Sequence, residues 1–257
     1  MSIKLNNKNF KLLFVLFLIL FLSGCSFTKE NIKSLAKSNS AVEITSYKNE
    51  IILGLLQYKA KLNLRNPNSY NKLLSNNISH QIKTNQNYIN ILQDGKILKS
   101  YDEYLHYAFL DEKIENRNDF LILGLYKLIY KAYGLDDNHK FTAFEHNKFE
   151  LLKLHQYLQV LRWKIRTQKD NNGKYLFNTW QNNWQIELLQ KDDSDLNIIK
   201  NLEYIKSKEE SIYSHSNFSF EILLSRILLN VEYTLKKINI EPYDMSTSAI
   251  KSFVFIF

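Results

Sequence analysis

Two prolines, Pro67 and Pro242, and six glycines are the only strong helix breakers in 257 residues. A chain so poor in breakers, and marked throughout by apolar residues at helical spacing, reads as helix after helix. Ile51, Leu55, Tyr58 and Leu62 fall at i, i+4, i+7 and i+11 on one face, within a helix that begins near Val42. Asn66-Pro67 ends it, because the residue before proline avoids the α region. The expected class is therefore all-α: an irregular antiparallel helix bundle with at most a few short strands.

The remaining elements follow in the same way. Residues 68–96 are rich in Asn and Ser and show no clear period, but Asp94-Gly95 marks a tight turn. Before it, Tyr88 to Leu92 suits a short strand or a helical turn. Tyr101 to Leu110 forms a second helical block. Asp119 to Tyr133 is apolar almost all round, as a buried central helix would be, and Gly134 is placed as its C-terminal cap. Thr142-Ala-Phe-Glu145 matches a capping box. The helix it opens runs through Leu151, Leu154, Leu158, Leu161 and Ile165, and its C-terminal end gathers Arg162, Lys164, Arg166 and Lys169, which favour the dipole there.

Asp170-Asn-Asn-Gly173 turns the chain, and Lys174 to Phe177 extends it toward a helix over Thr179–Gln190. Asp192 to Asp195 is an acidic loop, and Leu196 to Glu210 is weakly helical. Phe218 to Ile238 is the last strong helix, stopped by Pro242. The tail Ser252–Phe257 is apolar.

The N-terminus has a different character. Lys4, Lys8 and Lys11 precede an unbroken apolar run, Leu12 to Leu22, and Leu22-Ser23-Gly24-Cys25 closes it. A basic start, a short apolar stretch and small residues at its end are the parts of a secretory signal. Eleven residues make roughly 16 Å of helix at about 1.5 Å each, short of the about 20 residues that span a hydrocarbon core. The run resembles the lipobox of bacterial lipoproteins. That resemblance covers residues 1–26 and implies cleavage before Cys25 and acylation of its thiol, with palmitate among the chains. One acyl chain holds a protein only marginally, so the multiple acylation of this class implies a lasting anchor. Ser26, where Asp favours inner-membrane retention in this class, implies the periplasmic leaflet of the outer membrane.

Three segments result: a signal peptide over 1–24, an acylated N-terminus and polar tether over 25–40, and one helical domain over 41–257. The mature chain has 233 residues, enough for a sizeable core. The whole chain holds 16 Tyr and 16 Phe, of which Phe10, Phe14, Phe17 and Phe21 belong to the signal, so the mature chain has enough rings for an aromatic core. Cys25 is the only cysteine, so the domain has no internal disulfide and is held by burial alone. The net charge of +8 falls to +5 when the three signal lysines leave. That balance suits contact with anionic lipid or cell-wall polymer, or simple solubility, and an exported chain has no nucleic-acid partner.

Trp180-Gln181-Asn182-Asn183-Trp184 is the most unusual segment of the mature chain. Two indoles at i, i+4 on one helix face, surrounded by amides, could hold a sugar ring or a peptide. Equally, both rings could pack inward, with the amides capping or facing solvent. Arg162-Trp-Lys-Ile-Arg166 places two cations on one face, with Trp163 turned partly inward, where an anionic lipid contact is conceivable.

No chemistry is specified elsewhere. Aligning a calcium loop on Gly173 puts Gln168 and Thr179 where acidic ligands belong. His80, His106, His139, His146, His155 and His215 show no zinc-ligand spacing. There is no nucleophile motif, no phosphate loop and no implied cofactor. Paired carboxylates such as Glu145, Glu150 and Glu187 would need to meet in space. The expected role is structural or protein-interacting at the cell envelope, with an envelope protein or cell-wall polymer as partner. A glycan- or peptide-binding module on Trp180 and Trp184 is the alternative, and a wall-modifying enzyme stands third.

Overall fold

Every residue of α4 (Arg117–Ala132) except Lys131 is buried, so the molecule is best described outward from this helix. In the computed structural model, the residues described are 29–135, 148–191, 196–212 and 218–242. The elements before it are α1 (Lys29–Arg65), α2 (Lys72–Lys83), a hairpin of β1 (Leu92–Gln93) and β2 (Lys96–Ile97), and α3 (Tyr101–Phe109). After it come α5 (Lys148–Thr167), α6 (Asn183–Gln190), α7 (Glu203–Lys206) and α8 (Phe218–Lys237). Short 3-10 turns occupy Pro67–Ser69 and Leu196–Asn201. The protein is mainly α-helical, as its periodicity requires.

The chain divides into two compact units, Met1–Glu43 and Ile44–Phe257. The sequence reading starts a helix at about Val42; α1 is continuous from Lys29 and so runs through the polar stretch read as a tether. Residues 29–40 are polar but hold no Gly or Pro to break a helix. Cys25 and the signal segment lie outside the described residues, as do the Thr142–Glu145 capping box, the 192–195 loop and the 252–257 tail.

In the second unit α4 packs on α3, α5 and α2. The closest approach is at Gly124, where a Cβ would lie 2.7 Å from Leu105 Cδ2 and 3.2 Å from its backbone N. Helix α8 lies between α1 and α5. It meets α1 through Tyr233 on Tyr47 and Phe220 on Tyr58, each with centroids 5.5 Å apart. It meets α5 through Glu232 on His155 at 3.2 Å and Glu221 on Arg162 at 2.7 Å. In both pairs the sequence numbers run in opposite directions, so α8 is antiparallel to its neighbours. The aromatic core also includes Tyr101 edge-on to Tyr157 and Phe109 edge-on to Phe177, each 5.6 Å apart.

The ends of the elements follow local chemistry. Gly134 (φ +55°) takes the left-handed position after α4. There Leu135 N–H donates to Tyr130 O and Gly134 N–H to Lys131 O, both at 3.2 Å, the paired bonds of a Schellman cap. Asn85 (φ +51°) and Asn239 (φ +60°) close α2 and α8 with the same pair of bonds. Asp94 (φ +50°) and Gly95 (φ +76°) form a two-residue type I′ loop that pairs Leu92 with Ile97. Ser100 and Glu103 form a reciprocal capping box at the start of α3. Among the described residues no helix is long and apolar enough to cross a membrane.

Candidate functional site

Four chain turns meet at one end of this helical unit and enclose a polar cleft of about 800 Å³. They are 66–71 after α1, 111–117 between α3 and α4, 170–178 between α5 and α6, and Glu209-Glu210 after α7. Pro67 ends α1 and starts the first wall, so the same residue that closes a helix opens the site.

The walls are held by side chains that are spent internally. Arg117 is buried, and its Nη1 donates to Ala108 O at 2.8 Å and Leu110 O at 2.7 Å, while Nη2 donates to Glu112 O. The guanidinium thus takes the free carbonyls at the end of α3 and fixes the 111–116 loop. Burial pulls it down to about 10, against the opposing pull of Asp170 and Asp111. Asn66 Nδ2 donates to Leu62 O at 3.2 Å, and its Oδ1 accepts Asn178 N–H at 2.9 Å. One amide therefore ties the first wall to the third.

Beneath the first wall, Asp119 Oδ2 accepts Asn71 N–H at 2.9 Å. Its Oδ1 is buried with no partner. Burial pushes this carboxyl up to about 6, although the Asn71 bond and the nearby Lys59 ammonium both favour the charged form. Burial likewise pulls Lys59 down, and its Nζ donates to Ser75 Oγ.

Glu210 organises the remaining wall. Its Oε1 accepts Asn178 Nδ2 at 2.7 Å, Asn183 Nδ2 at 2.8 Å and Asn183 N–H at 3.1 Å. Its Oε2 accepts Trp184 N–H at 3.1 Å. A carboxylate from 26 residues downstream therefore takes the first two backbone N–H groups of α6, where a negative charge is favoured.

These bonds decide the fate of the Trp-Gln-Asn-Asn-Trp segment. The expected helix over 179–190 starts only at Asn183, so Trp180 and Trp184 do not share a helix face. Asn182 is the N-cap: it forms a capping box with Gln185, and its Oδ1 accepts from Arg65. Asn183 is buried in the Glu210 network. Trp180 is 40% exposed and lies against the Arg166 guanidinium at 4.2 Å. Trp184 is half-buried, and its indole N–H is buried without an acceptor, while Gln181 is half-buried.

The other candidates separate too. Glu150 pairs with Lys131 at 2.9 Å, Glu187 accepts Glu203 N–H at 2.8 Å, and Glu145 lies outside the described residues. His155 meets Glu232, His80 meets Tyr88 Oη at 3.3 Å and His106 lies against Tyr107, while His139, His146 and His215 lie outside the described residues. Asp170 Oδ1 accepts Asn172 N–H at 2.9 Å and Lys174 N–H at 2.8 Å, which explains that turn without a cation. Among the described residues no three His, Cys, Asp or Glu side chains gather as metal ligands. Trp163, expected partly inward, is 61% exposed, because Leu158, Leu161 and Ile165 hold the inner face of α5.

What remains for a ligand is the mouth of the cleft. Asp111, Glu112, Glu115, Asp170, Glu209 and Glu210 line it against Lys113, Arg117 and Lys174. This is a local balance of −3 in a chain of net +8. Lys174 is matched by Glu209, and Arg117 by carbonyls. The exposed Asp111, Glu112, Lys113 and Glu115 form the rim, with Tyr70 beside it and Tyr175, which carries the Lys169 ammonium over its ring at 4.7 Å. Sequence reasoning missed Asp119 and Glu210, whose partners are distant in the chain, and Arg117, whose partners are backbone carbonyls five to nine residues back that carry no side-chain signal. Asn66-Pro67 and the Asp170–Gly173 turn were the local signs of the cleft's walls. The chain matches no family model, no curated protein and no solved structure.

Proposed function

We propose that this chain is a bacterial lipoprotein, acylated on Cys25 and held at the membrane of the cell envelope, and that its helical domain works there by interaction. The signal-like run ending Leu22-Ser23-Gly24-Cys25 supports the location, and Ser26 favours the periplasmic leaflet of an outer membrane. The single observation that carries the role is the cleft. Its walls are locked by Arg117, Asn66 and Glu210, while its rim charges face solvent. A rigid frame with uncommitted polar groups at its mouth is the arrangement of a recognition site. The occupant that fits is a polar segment of an envelope protein with basic groups to balance the carboxylates.

A glycan or peptide ligand is the second reading. It is favoured by the cleft volume, which lies within the roughly 300–1,000 Å³ of small-molecule sites. In this reading Tyr70, Tyr175 and the rim amides do the binding, because Asn182, Asn183 and Gln185 are spent on the start of α6.

Two experiments test the proposal. Palmitate labelling with fractionation should mark the wild-type chain in membranes and leave Cys25→Ala unlabelled; equal labelling of the two overturns the location. A photo-crosslinker in place of Lys113, used in intact cells, should give a discrete adduct that Asp111→Lys with Glu115→Lys removes. An adduct indifferent to those changes overturns the cleft as the recognition site.

A further inference from the structure

We infer that the outward face of α5 and α8, with Leu53 of α1 beside it, lies flat against an anionic lipid surface. The inference rests on the lipoprotein reading, which puts the domain next to a bilayer, and it adds which face of the domain meets the lipid.

Helix α8 is apolar on two opposite sides. Phe220, Leu224, Ile227, Val231 and Leu235 enter the core. At about 100° per residue, Ile222, Leu229 and Tyr233 point about half a turn away. There they are exposed, Ile222 at 56%. Helix α5 repeats the pattern. Its core seam runs from Leu151 to Ile165, while Phe149 is 70% and Trp163 61% exposed on the opposite side. Because α8 lies between α1 and α5, and all three turn their seams to the core, the outer stripes form one surface. A helix that needs only one buried side has a polar outer face; here that face sets Phe149, Trp163, Ile222, Leu229 and Tyr233 among its cations.

Charge selects the occupant. Every charged residue that α5 and α8 leave exposed is a cation, Lys148, Arg226, Lys236 and Lys237, against one exposed acid near Leu53 on α1, Glu50. The acids of the two helices are turned aside into pairs, Glu150 to Lys131, Glu221 to Arg162 and Glu232 to His155. A second copy of this chain on the same face would set cation against cation. Anionic headgroups instead match the cations, and Trp and Tyr rings are favoured at the headgroup level beside them. The apolar side chains then enter only the upper acyl region, as for a helix lying on a membrane and not crossing it.

The test uses the full acylated chain reconstituted into phosphatidylcholine vesicles with and without phosphatidylglycerol, with brominated acyl chains as a contact quencher of tryptophan. Bromine should quench wild-type emission in the phosphatidylglycerol vesicles and several-fold less in phosphatidylcholine alone. The quenched share should vanish in Trp163→Phe. Leu229→Glu should lose it with unchanged far-UV circular dichroism, since the site is exposed. Arg226→Gln should shift the ratio of quenched to unquenched Trp163 emission about fivefold toward the unquenched, the effect of one cation near an anionic surface; it provides a second comparison should Leu229→Glu unfold. If the chain floats with vesicles but wild-type and Trp163→Phe are quenched equally, the inference falls and the anchor stands; a second copy or a protein partner then covers the face. A chain that floats with neither vesicle overturns both readings.

Discussion

Glu210 accepts the backbone N–H of Asn183 at 3.1 Å, and through this contact a residue after α7 starts α6. The same carboxylate takes both side-chain amides, of Asn178 and Asn183, and the N–H of Trp184. Replacing it should therefore cost more than a surface change. Glu210→Gln loses the charge and an acceptor. It is expected to lower unfolding free energy by about 2–3 kcal/mol, the range of a hydrogen bond to a charged group, as read by guanidinium denaturation. A midpoint equal to wild type would mean that α6 starts without it.

Arg117 is the second fixed point. One planar fork serves carbonyls of Ala108, Leu110 and Glu112. Arg117→Lys keeps the charge but offers one ammonium where the geometry needs a fork. A loss of about 2–4 kcal/mol is expected, with the 111–116 loop made more protease-sensitive. Limited proteolysis beside thermal melting checks both parts.

Two glycines give a paired comparison. A Cβ at Gly124 would strike Leu105 Cγ at 2.8 Å as well as its backbone N, whereas one at Gly54 would meet only Ile227 Cγ1, at 2.9 Å, and Cδ1. Gly124→Ala should destabilise by about 1–3 kcal/mol, since the α3–α4 contact must open. Gly54→Ala should be close to neutral. Only one side chain must shift there, with no backbone atom in the way, and that cost is offset because Ala in a helix interior is favoured by about 1 kcal/mol over Gly. Equal losses at the two sites would refute this account of the packing.

Asp119 predicts a pH dependence. Its folded carboxyl is pushed up to about 6 by burial. The unfolded one titrates near about 4, so between those values the native state holds the extra proton. The contribution of this group is greatest below about pH 4 and is lost as pH rises through about 6, by up to about 3 kcal/mol. Asp119→Asn keeps an acceptor for Asn71 N–H but cannot ionise. The difference between wild type and variant, measured by urea unfolding from pH 4 to 7, should therefore shift in favour of the variant as pH rises. A constant difference across that range would refute the assignment.

The sequence showed most of what is local. The apolar run at Asp119–Tyr133 is α4, found over Arg117–Ala132, and Gly134 caps it. Asp94-Gly95 is the hairpin loop, and the seams of α5 and α8 are buried as spaced. Helix α2 was hidden because Asn and Ser dilute its period, although Leu74, Ile78 and Ile82 carry one. The Asn85 and Asn239 caps were legible in principle, since Asn after a helix is a known left-handed cap.

The sequence by itself determined the helical class, the seams and those helix ends that carry a local breaker or cap, as at Asn66-Pro67 and Gly134, because propensity, capping and i, i+4 spacing act within a turn or two of helix. Only the tertiary structure decided the cleft. Asn66 meets Asn178 across 112 residues, and Arg65 meets Asn182 across 117. Such pairs leave no periodic trace, for a hydrogen bond between distant turns depends on where packing carries them and not on their spacing in the chain. The same packing put the Asn182-Asn183 amides, which the alternative reading set around an indole platform, at a helix start, because a buried amide must satisfy its donors and acceptors before it can serve a ligand.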